Sequence, residues 1–421
     1  MKSLLAWLFL GSAIVQAQET TAVAPPQEEK RLEWSGNLDA KYSVIHSAQS
    51  SSMYQLQFFN SATLSGYLSQ YRIEPYINAD YQTKDLGFHL KTHASYYSDD
   101  NASIDLFEAY GSFNPTFNST LQVGKRMFSW GKGYAFNPVG YVNPVKDPEN
   151  PELAQAGLLS ASFEYIKSFS SSALQTFSSV LVVIPPTPQL NGRYAEAENA
   201  GVALKAYGLL WDTDIDLMGY YRKNGPVQLG LDCSRNLREN LEIHAELSYN
   251  QDTERFTILS HSLRAEHVNR SSYLLGLRYL HESNTTVIVE YYHNGLGMSR
   301  GEYADYADFL TYAANSGSAT VAQQALGLSQ QYFRNSTLME DYLYTKLTVP
   351  EPFDWLYFTP SLYSIYNLND NSFVLSAPLS YKPVTNVEFI FWPTILVGTG
   401  RSEFGQKMFQ QRLEVWVRIF F

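Results

Sequence analysis

The densest group of side chains that could bind a small molecule or an ion lies in one proline-rich segment, residues 126–156. It combines cations, carboxylates and hydrogen-bonding groups, and its candidate residues for a constriction are Arg126, Trp130, Lys132, Asn137, Lys146 and Asp147. Four prolines at positions 138, 144, 148 and 151 stiffen the segment, because each fixes φ and removes a backbone donor. A stiff loop with charges of both signs is suited to selecting polar molecules by size and charge.

A second group alternates along one stretch of chain, where Glu242, His244 and Glu246 occupy every other position. A histidine between carboxylates could serve acid–base chemistry or hold a metal, but ligands must converge in space, and neighbours two apart on a strand converge poorly. The same holds for His89 and His93. We interpret these side chains as polar lining and expect no metal and no cofactor. No nucleophile elbow, zinc helix motif or phosphate loop is present, so an enzyme is not predicted.

Composition narrows the class of protein further. The 421 residues are 45% apolar, 15% aromatic and 17% charged, and the net charge of −11 makes nucleic acid an unsuitable partner. A single cysteine, Cys233, excludes a disulfide framework. Outside the extreme N-terminus, no apolar run approaches the length of a membrane helix.

The N-terminus has the pattern of a secretory signal peptide. Lys2 gives a short basic start, residues 4–15 are apolar, and Val15-Gln16-Ala17 supplies the small residues of a cleavage site. We predict a signal peptide over residues 1–17, with a buried N-terminal helix as the alternative. Residues 18–30 are polar and carry Pro25-Pro26, which predicts a disordered periplasmic spacer.

The remainder of the chain, residues 31–421, repeats one design. Segments of about ten residues alternate apolar and polar positions, and turn residues separate them. In Leu241–Asn250 every odd-numbered position is apolar and every even-numbered position is polar. A period of two gives each strand one apolar and one polar face. Such strands form either a soluble β-assembly with the apolar face inward or a membrane barrel with that face towards lipid.

Three observations favour the membrane barrel. The polar faces carry several ionisable groups, as a wet lumen would, and the strands have the length that a tilted strand needs to cross hydrocarbon. The apolar faces tend to end in Tyr, Phe or Trp, which is typical of interfacial aromatic girdles. We therefore predict an all-β fold, a transmembrane antiparallel β-barrel of about 18 strands, with 16 as the alternative.

The last strand adds a specific sign. Val417, Ile419 and Phe421 lie on its apolar face, and the sequence given ends on the aromatic residue. This arrangement resembles the C-terminal strand by which Gram-negative outer-membrane proteins are recognised by the barrel assembly machinery. The resemblance implies outer-membrane localisation and identifies these three residues as a candidate assembly signal.

The segment that precedes the proline-rich loop resembles bacterial porins. It reads Leu121-Gln122-Val123-Gly124 and is followed by Trp130-Gly131 and Asn137-Pro138, an arrangement found in a largely uncharacterised porin-like group. The resemblance implies that the loop of residues 131–156 folds into the lumen and narrows it. Porins place Arg directly after the glycine, whereas Lys125 stands there in this chain and Arg126 follows. Simple alternation turns Arg126 inward, and a bulge would reverse that.

These observations predict an outer-membrane channel that passes small polar solutes. The lumen candidates on the strands are Glu242, His244, Glu246, Arg278, Glu290, Arg412, Glu414 and Arg418. The alternatives are a non-transporting barrel that acts as a scaffold, adhesin or sleeve, and an export channel for polysaccharide or hydrophobic compounds. Expected partners are outer-membrane lipid, the assembly machinery, small polar solutes and a second copy of the chain. The long loop 295–337, with short helices predicted over 302–314 and 319–333, could dock a surface partner.

Overall fold

The computed structural model describes residues 32–59, 65–171, 173–187, 191, 200–223 and 225–421. The signal peptide expected over residues 1–17 and the spacer expected over residues 18–30 lie outside these residues and stay predictions. Within the described ranges, no helix is both long enough and apolar enough to cross a membrane.

The described chain is a series of antiparallel strands in sequence order. The first nine strands are β1 Leu32–Ser47, β2 Tyr67–Gln82, β3 Leu86–Tyr97, β4 Ala102–Thr116, β5 Ser119–Arg126, β6 Leu158–Ser168, β7 Leu174–Ile184, β8 Gly201–Leu210 and β9 Thr213–Arg222. The remaining nine are β10 Val227–Arg238, β11 Leu241–Leu259, β12 Ser262–Leu280, β13 Thr286–His293, β14 Asp341–Thr348, β15 Phe358–Asn367, β16 in two segments (Phe373–Ser376 and Leu379–Val384), β17 Val387–Val397 and β18 Phe409–Phe420.

The sheet closes on itself. Strand β1 pairs with β2 on one side and with β18 on the other, so the barrel has no free edge. The two segments of β16 are halves of one strand, because both pair with β15 and both pair with β17. Pro378, which has no backbone donor, lies in the interruption between them. The structure therefore confirms a closed antiparallel barrel of 18 strands, not 16.

The barrel has its apolar face outside and its polar face inside. Along neighbouring strands, Leu217, Leu229, Leu247 and Leu275 are 47–59% exposed on the outer surface. Asp232 on β10, which is in register with Asp216 of β9, is fully buried on the inner face. This is the inverse of a soluble protein and the arrangement that lipid requires outside a water-filled lumen.

The two ends of the barrel differ. One end, here the turn end, has connections of nine residues or fewer, and the other, the loop end, carries the long connections 48–66, 127–157, 185–200, 294–340 and 398–408. Exposed aromatic side chains flank the apolar belt at both ends. Trp34, Trp211 and Trp355 lie at the turn end, and Tyr221 and Tyr249 lie towards the loop end.

The last strand closes the barrel through its backbone as well as its side chains. The N–H and C=O groups of Phe421 both pair with Gly36 of β1, at N···O distances of 3.1 and 3.0 Å. Ile419 and Phe421 are exposed on the outer face, and Val417 shares that face by register. Their proposed role as an assembly signal stays a prediction.

One hairpin is longer than the others. Strands β11 and β12 run through residues 251–269 and are joined by only two residues, Ser260 and His261. Both residues have positive φ, as a two-residue hairpin turn requires. The two strands of 19 residues each therefore project as a hairpin beyond the rest of the barrel.

Helices cover part of the loop end. Helix α1 spans Ser52–Gln57, and the long connection 294–340 contains α2 (Arg300–Asn315) and α3 (Ala319–Tyr332), close to the two helices expected there. Ser299 begins α2 with a capping box formed with Glu302. We call the α1, α2 and α3 assembly the cap. Its buried side chains, including Tyr306 and Leu310, share one apolar cluster with Phe136 of the 127–157 connection.

Candidate functional site: the lumen and its inserted loop

The connection 127–157, here the lumen loop, lies inside the barrel. Its apolar side chains are buried against the inner faces of β6 to β9. The cluster comprises Phe128, Trp130, Val139, Tyr141, Val142, Leu158, Val182, Ile184, Ala203, Met218 and Tyr220. Trp130 is only 4% exposed and Val139 is fully buried. A surface loop would leave these residues in water, so burial of this cluster stabilises the inserted position of the loop.

Two buried carboxylates on the barrel wall hold the first limb of the loop, residues 130–139. Glu246 accepts hydrogen bonds from the backbone N–H groups of Lys132 and Gly133, each at 2.6 Å, and a longer one from Val139 at 3.4 Å. Glu290 accepts from the N–H groups of Tyr134 and Ala135, the latter at 2.9 Å. Five backbone donors are thus satisfied by two carboxylates that are almost completely buried.

Ion pairs strengthen the same contact. The ammonium group of Lys132 lies 3.2 Å from Asp216, and Lys205 lies 3.1 Å from the other oxygen of that carboxylate. The wall that faces the first limb is therefore acidic, and the limb contacts it with backbone N–H groups and the Lys132 cation.

The second limb, residues 145–154, meets a wall of opposite sign. Glu149 lies 2.8 Å from the guanidinium of Arg412 on β18. Glu152 lies 3.7 Å from Lys346 on β14 and accepts a hydrogen bond from the Tyr134 hydroxyl at 2.7 Å. The lumen loop is therefore complementary in charge to two different sectors of the barrel, which fixes its orientation across the lumen.

Lys146 joins the two limbs. Its ammonium group donates to the backbone carbonyls of Gly133 and Tyr134, the latter at 3.3 Å. Asp147, the next residue, accepts a hydrogen bond from the N–H of Glu149 at 3.0 Å and so forms a local turn. Asp147 contributes to the shape of the loop, whereas Lys146 holds it together.

The Trp-Gly and Asn-Pro pairs form the base of the first limb. The Asn137 amide donates to the carbonyl of Trp130, and the N–H of Trp130 donates to Asn143 at 3.1 Å. Gly131 between them has φ of +94°, and a Cβ there would lie 2.2 Å from the Asn137 side-chain oxygen. Only glycine fits this position, which gives the sequence pattern a physical reason.

The structure turns Arg126 inward, as simple alternation predicts. Its guanidinium donates to the hydroxyl of Ser162 on the inner face at 3.3 Å and lies 4.5 Å from the ring centroid of Phe128. Arg126 thus packs below the buried base of the loop. Lys125 is paired by register with Ala109 on the other face.

His244 belongs to the loop anchor rather than to a metal site. Its Nε2 lies 3.0 Å from Glu290 and its Nδ1 lies 3.6 Å from Glu242. Arg278 is in register with Glu242 near the turn end and is exposed. Among the described residues, no group of three or more His, Cys, Asp or Glu side chains could hold a metal ion.

The charged residues of β18 form a network that the sequence predicted only in part. Arg418 binds both oxygens of Asp39 at 2.8 Å each, and Lys41 lies 3.3 Å from the same carboxylate. Glu414 accepts from the Trp416 indole at 3.1 Å and lies 3.8 Å from Arg412. Asp39 and Lys41 were missed as site residues, although their place on the polar face of β1 was a usable signal.

Two cavities lie on opposite sides of the lumen loop. The loop-end cavity, about 490 Å³, is lined by residues 135–148 of the loop and by the upper parts of β9 to β13. The turn-end cavity, about 420 Å³, is lined by Tyr134 and residues 149–154 of the loop and by β1 to β3 and β14 to β18. Both volumes are within the range of roughly 300–1,000 Å³ typical of small-molecule sites.

The partition between the cavities is thin. Tyr134 lines the turn-end cavity and the adjacent Ala135 lines the loop-end cavity. In the second limb, Pro148 and the adjacent Glu149 are divided in the same way. At both places adjacent residues of the loop line different cavities, so the lumen loop forms the partition between them.

An ion pair between Arg255 and Glu302 fixes the cap over the loop-end cavity. This pair makes the stability of the cap depend on pH. The Arg255 guanidinium donates to both oxygens of Glu302 at 2.7 and 2.6 Å, and these hydrogen bonds lower the pKa of Glu302 from 4.5 to about 2. Because the folded pKa is depressed, the stabilisation is fully present above pH 4.5 and is lost as pH falls towards 2.

We therefore expect Glu302→Gln to destabilise α2 by about 1 kcal/mol at neutral pH, a value kept small because the pair is partly solvated. The variant should also lose the acid dependence between pH 4.5 and 2. Hydrogen exchange of α2 amides, corrected for intrinsic exchange rates, measures both effects. The exposed Glu282→Gln at the turn end is the control, and equal effects from the two variants would contradict the assignment.

Comparison with solved structures supports the fold. No protein-family model matches the chain, and a comparison with curated protein sequences finds no match. The solved structure of OccK11 (OpdR) from Pseudomonas aeruginosa is 10% identical, covers 92% of this chain and 95% of its own, and has a TM-score of 0.52. OccD3 (OpdP) from the same organism is 10% identical over 92% and 91%, with a TM-score of 0.50.

A third similar structure is Wzi of Escherichia coli, described as an outer-membrane protein involved in group 1 capsule assembly and as a carbohydrate-binding β-barrel. It is 8% identical over 91% of this chain and 84% of its own, with a TM-score of 0.53. At these identities the likeness concerns the fold alone. None of the three proteins is described as an enzyme.

The fold and the exposed apolar belt define a class. The chain is a closed antiparallel β-barrel with a porin-like fold, with 18 strands and a loop inserted in its lumen.

Proposed function

We propose that this barrel is a channel that passes small polar solutes through a lumen narrowed by the lumen loop. The observation that carries the proposal is the anchoring of the loop inside the barrel, where five of its N–H groups bind Glu246 and Glu290 and a polar cavity lies on either side.

The linings of the two cavities support polar rather than apolar solutes. Amide side chains such as Gln228 and Asn294 line the loop-end cavity, and Lys91 and Glu388 are among the charged residues of the turn-end cavity. A solute that crossed from one space to the other would exchange hydrogen bonds with water for bonds with these groups. We infer that the lumen loop, which forms the partition, limits the size of the solutes that pass.

The cap supports a second candidate function. Buried residues of α2 and α3 share a continuous apolar cluster with Phe136 of the lumen loop, which favours a closed loop end. Because the loop end is closed, the alternative is a non-transporting barrel that acts as a scaffold or binds a surface partner. Conductance separates the two, because a closed barrel carries no steady current.

Deletion of residues 141–149 tests the role of the loop. The deletion removes Lys146 and Glu149, and with them the link between the limbs and the ion pair to Arg412. We expect faster liposome swelling with solutes that the unchanged protein admits slowly, since the lumen becomes wider. Swelling in graded sugars and amino acids measures the size limit.

A second variant keeps the chain length. Replacing residues 141–149 by a glycine–serine stretch removes the side chains without shortening the connection, and heat-modifiable migration in gels verifies that each barrel is folded. An unchanged size limit in both folded variants would refute a constriction by this loop. An absence of swelling in all three proteins would favour the non-transporting barrel.

A further inference from the structure

Aromatic rings form an unbroken arc along one wall of the lumen. Ring centroids in aromatic pairs are typically about 4.5–7 Å apart. The pairs here are Tyr292–Phe136 at 4.7 Å, Phe136–Tyr344 at 6.5 Å, Tyr344–Tyr363 at 6.1 Å, Tyr363–Trp392 at 6.5 Å and Trp392–Trp416 at 5.3 Å. Tyr292 and Phe136 line the loop-end cavity, and the other four line the turn-end cavity. The aromatic arc therefore passes the partition and connects the two spaces.

The turn-end cavity combines this arc with balanced charge. Its lining has four cations and three carboxylates, namely Lys41, Lys91, Lys346, Arg418, Glu149, Glu152 and Glu388. Several of these charges are already matched, since Arg418 lies 3.6 Å from Glu388 and Lys346 lies 3.7 Å from Glu152. The lining therefore offers a strongly charged ligand an excess of only one cation over the carboxylates.

Neutral hydrogen-bonding groups complete the lining. Asn37 and Asn78 both face this cavity, and the side-chain oxygen of Asn78 is buried without a hydrogen-bond partner among the described residues. The cavity thus offers donors and acceptors side by side. A hydroxyl group both donates and accepts, so it can use such a mixed surface, whereas a purely apolar ligand would leave these groups unmatched.

We propose that the turn-end cavity binds a neutral saccharide of one or two rings, and that the aromatic arc is the track along which it crosses the loop. The C–H faces of a sugar ring match aromatic side chains, and its hydroxyl groups match the mixed polar lining. A volume of about 420 Å³ accommodates a ligand of this size. The track rests on the proposed channel function, whereas binding in the cavity does not.

Planar-bilayer current with added disaccharides tests the track. Maltose, sucrose, lactose and trehalose are the probes, with benzoate as a charged aromatic comparison. We expect at least one sugar to block the current saturably and benzoate to bind more weakly than that sugar. Trp392→Leu and Tyr363→Leu should each weaken the block by about tenfold, because each removes one stacking surface. Trp355→Leu, an exposed aromatic residue that lines neither cavity, should leave the block unchanged.

Tryptophan fluorescence of the folded protein in detergent supplies a readout that needs no conduction. Current without a saturable sugar block, together with no fluorescence change for any sugar, would overturn the saccharide site and leave the channel intact. A fluorescence change that Trp392→Leu abolishes, in a protein without current, would support the binding site and overturn both the track and the channel. Tighter binding of benzoate than of every sugar would overturn the assigned ligand class.

Discussion

Replacing Glu246 and Glu290 together by alanine is expected to release the lumen loop and raise single-channel conductance several-fold. The two carboxylates accept five backbone hydrogen bonds from the loop, and their removal leaves those donors buried without acceptors. Each buried donor left unsatisfied costs about 1–3 kcal/mol, so the donors together disfavour the inserted position of the loop. The freed loop would move into water and widen the lumen.

The measurement is single-channel current with heat-modifiable migration as the folding control. Glu239→Ala, at an exposed turn-end position, removes a carboxylate of the same type without touching the loop and should leave the current unchanged. Glu246→Gln retains a carbonyl oxygen as acceptor and should give an intermediate conductance. A folded double variant with normal conductance would show that these carboxylates do not control the width of the lumen.

Glu403→Ala is expected to loosen the cap. Glu403 is 1% exposed and accepts hydrogen bonds at 2.6 Å from the N–H of Leu338, the hydroxyl of Tyr342 and the amide of Asn367. It therefore ties the connection 398–408 to the segment that follows α3. Loss of three buried hydrogen bonds, at about 1–3 kcal/mol for each unsatisfied donor, is a large fraction of the stability of such a local unit.

Limited proteolysis within 294–340 measures the loosening, and we expect cleavage at least several times faster than in the unchanged protein. Arg401→Ala is a matched control, because Arg401 makes an exposed ion pair with Asp308 of α2 at 2.8 Å and so also links the connection 398–408 to the connection 294–340. An exposed pair contributes about 0–1 kcal/mol, so this variant should change the rate little. Equal cleavage rates for the two variants would contradict a structural role for Glu403.

The alternation of apolar and polar positions determined the strands and their faces. In β11, Ile243 and Leu247 lie on the outer surface and His244 and Glu246 lie inside, as the period of two required. This is a local property, because backbone geometry sends successive side chains to opposite faces whatever the rest of the chain does. The same property turned Arg126 inward.

The glycine and proline pattern of the lumen loop predicted a stiff loop, but it did not predict what holds that loop in place. Gly131 and Asn137 were visible as a pair in the sequence, and the structure explains them by a backbone with positive φ and a side-chain bond to Trp130. What the loop binds was not visible. Glu246 is more than a hundred positions from Lys132 in the chain and accepts its N–H across the lumen.

Only the tertiary structure decided the contacts that depend on closure of the barrel. The radius of a closed sheet and the register of all its strands set which side chains meet across the lumen, and no local pattern encodes these quantities. The aromatic arc shows this clearly, since Phe136, Tyr344 and Trp392 come from a loop and two separate strands. The sequence by itself thus determined the strands, their inner faces and the fold class, whereas the folded barrel decided how the loop is held and which side chains line its cavities.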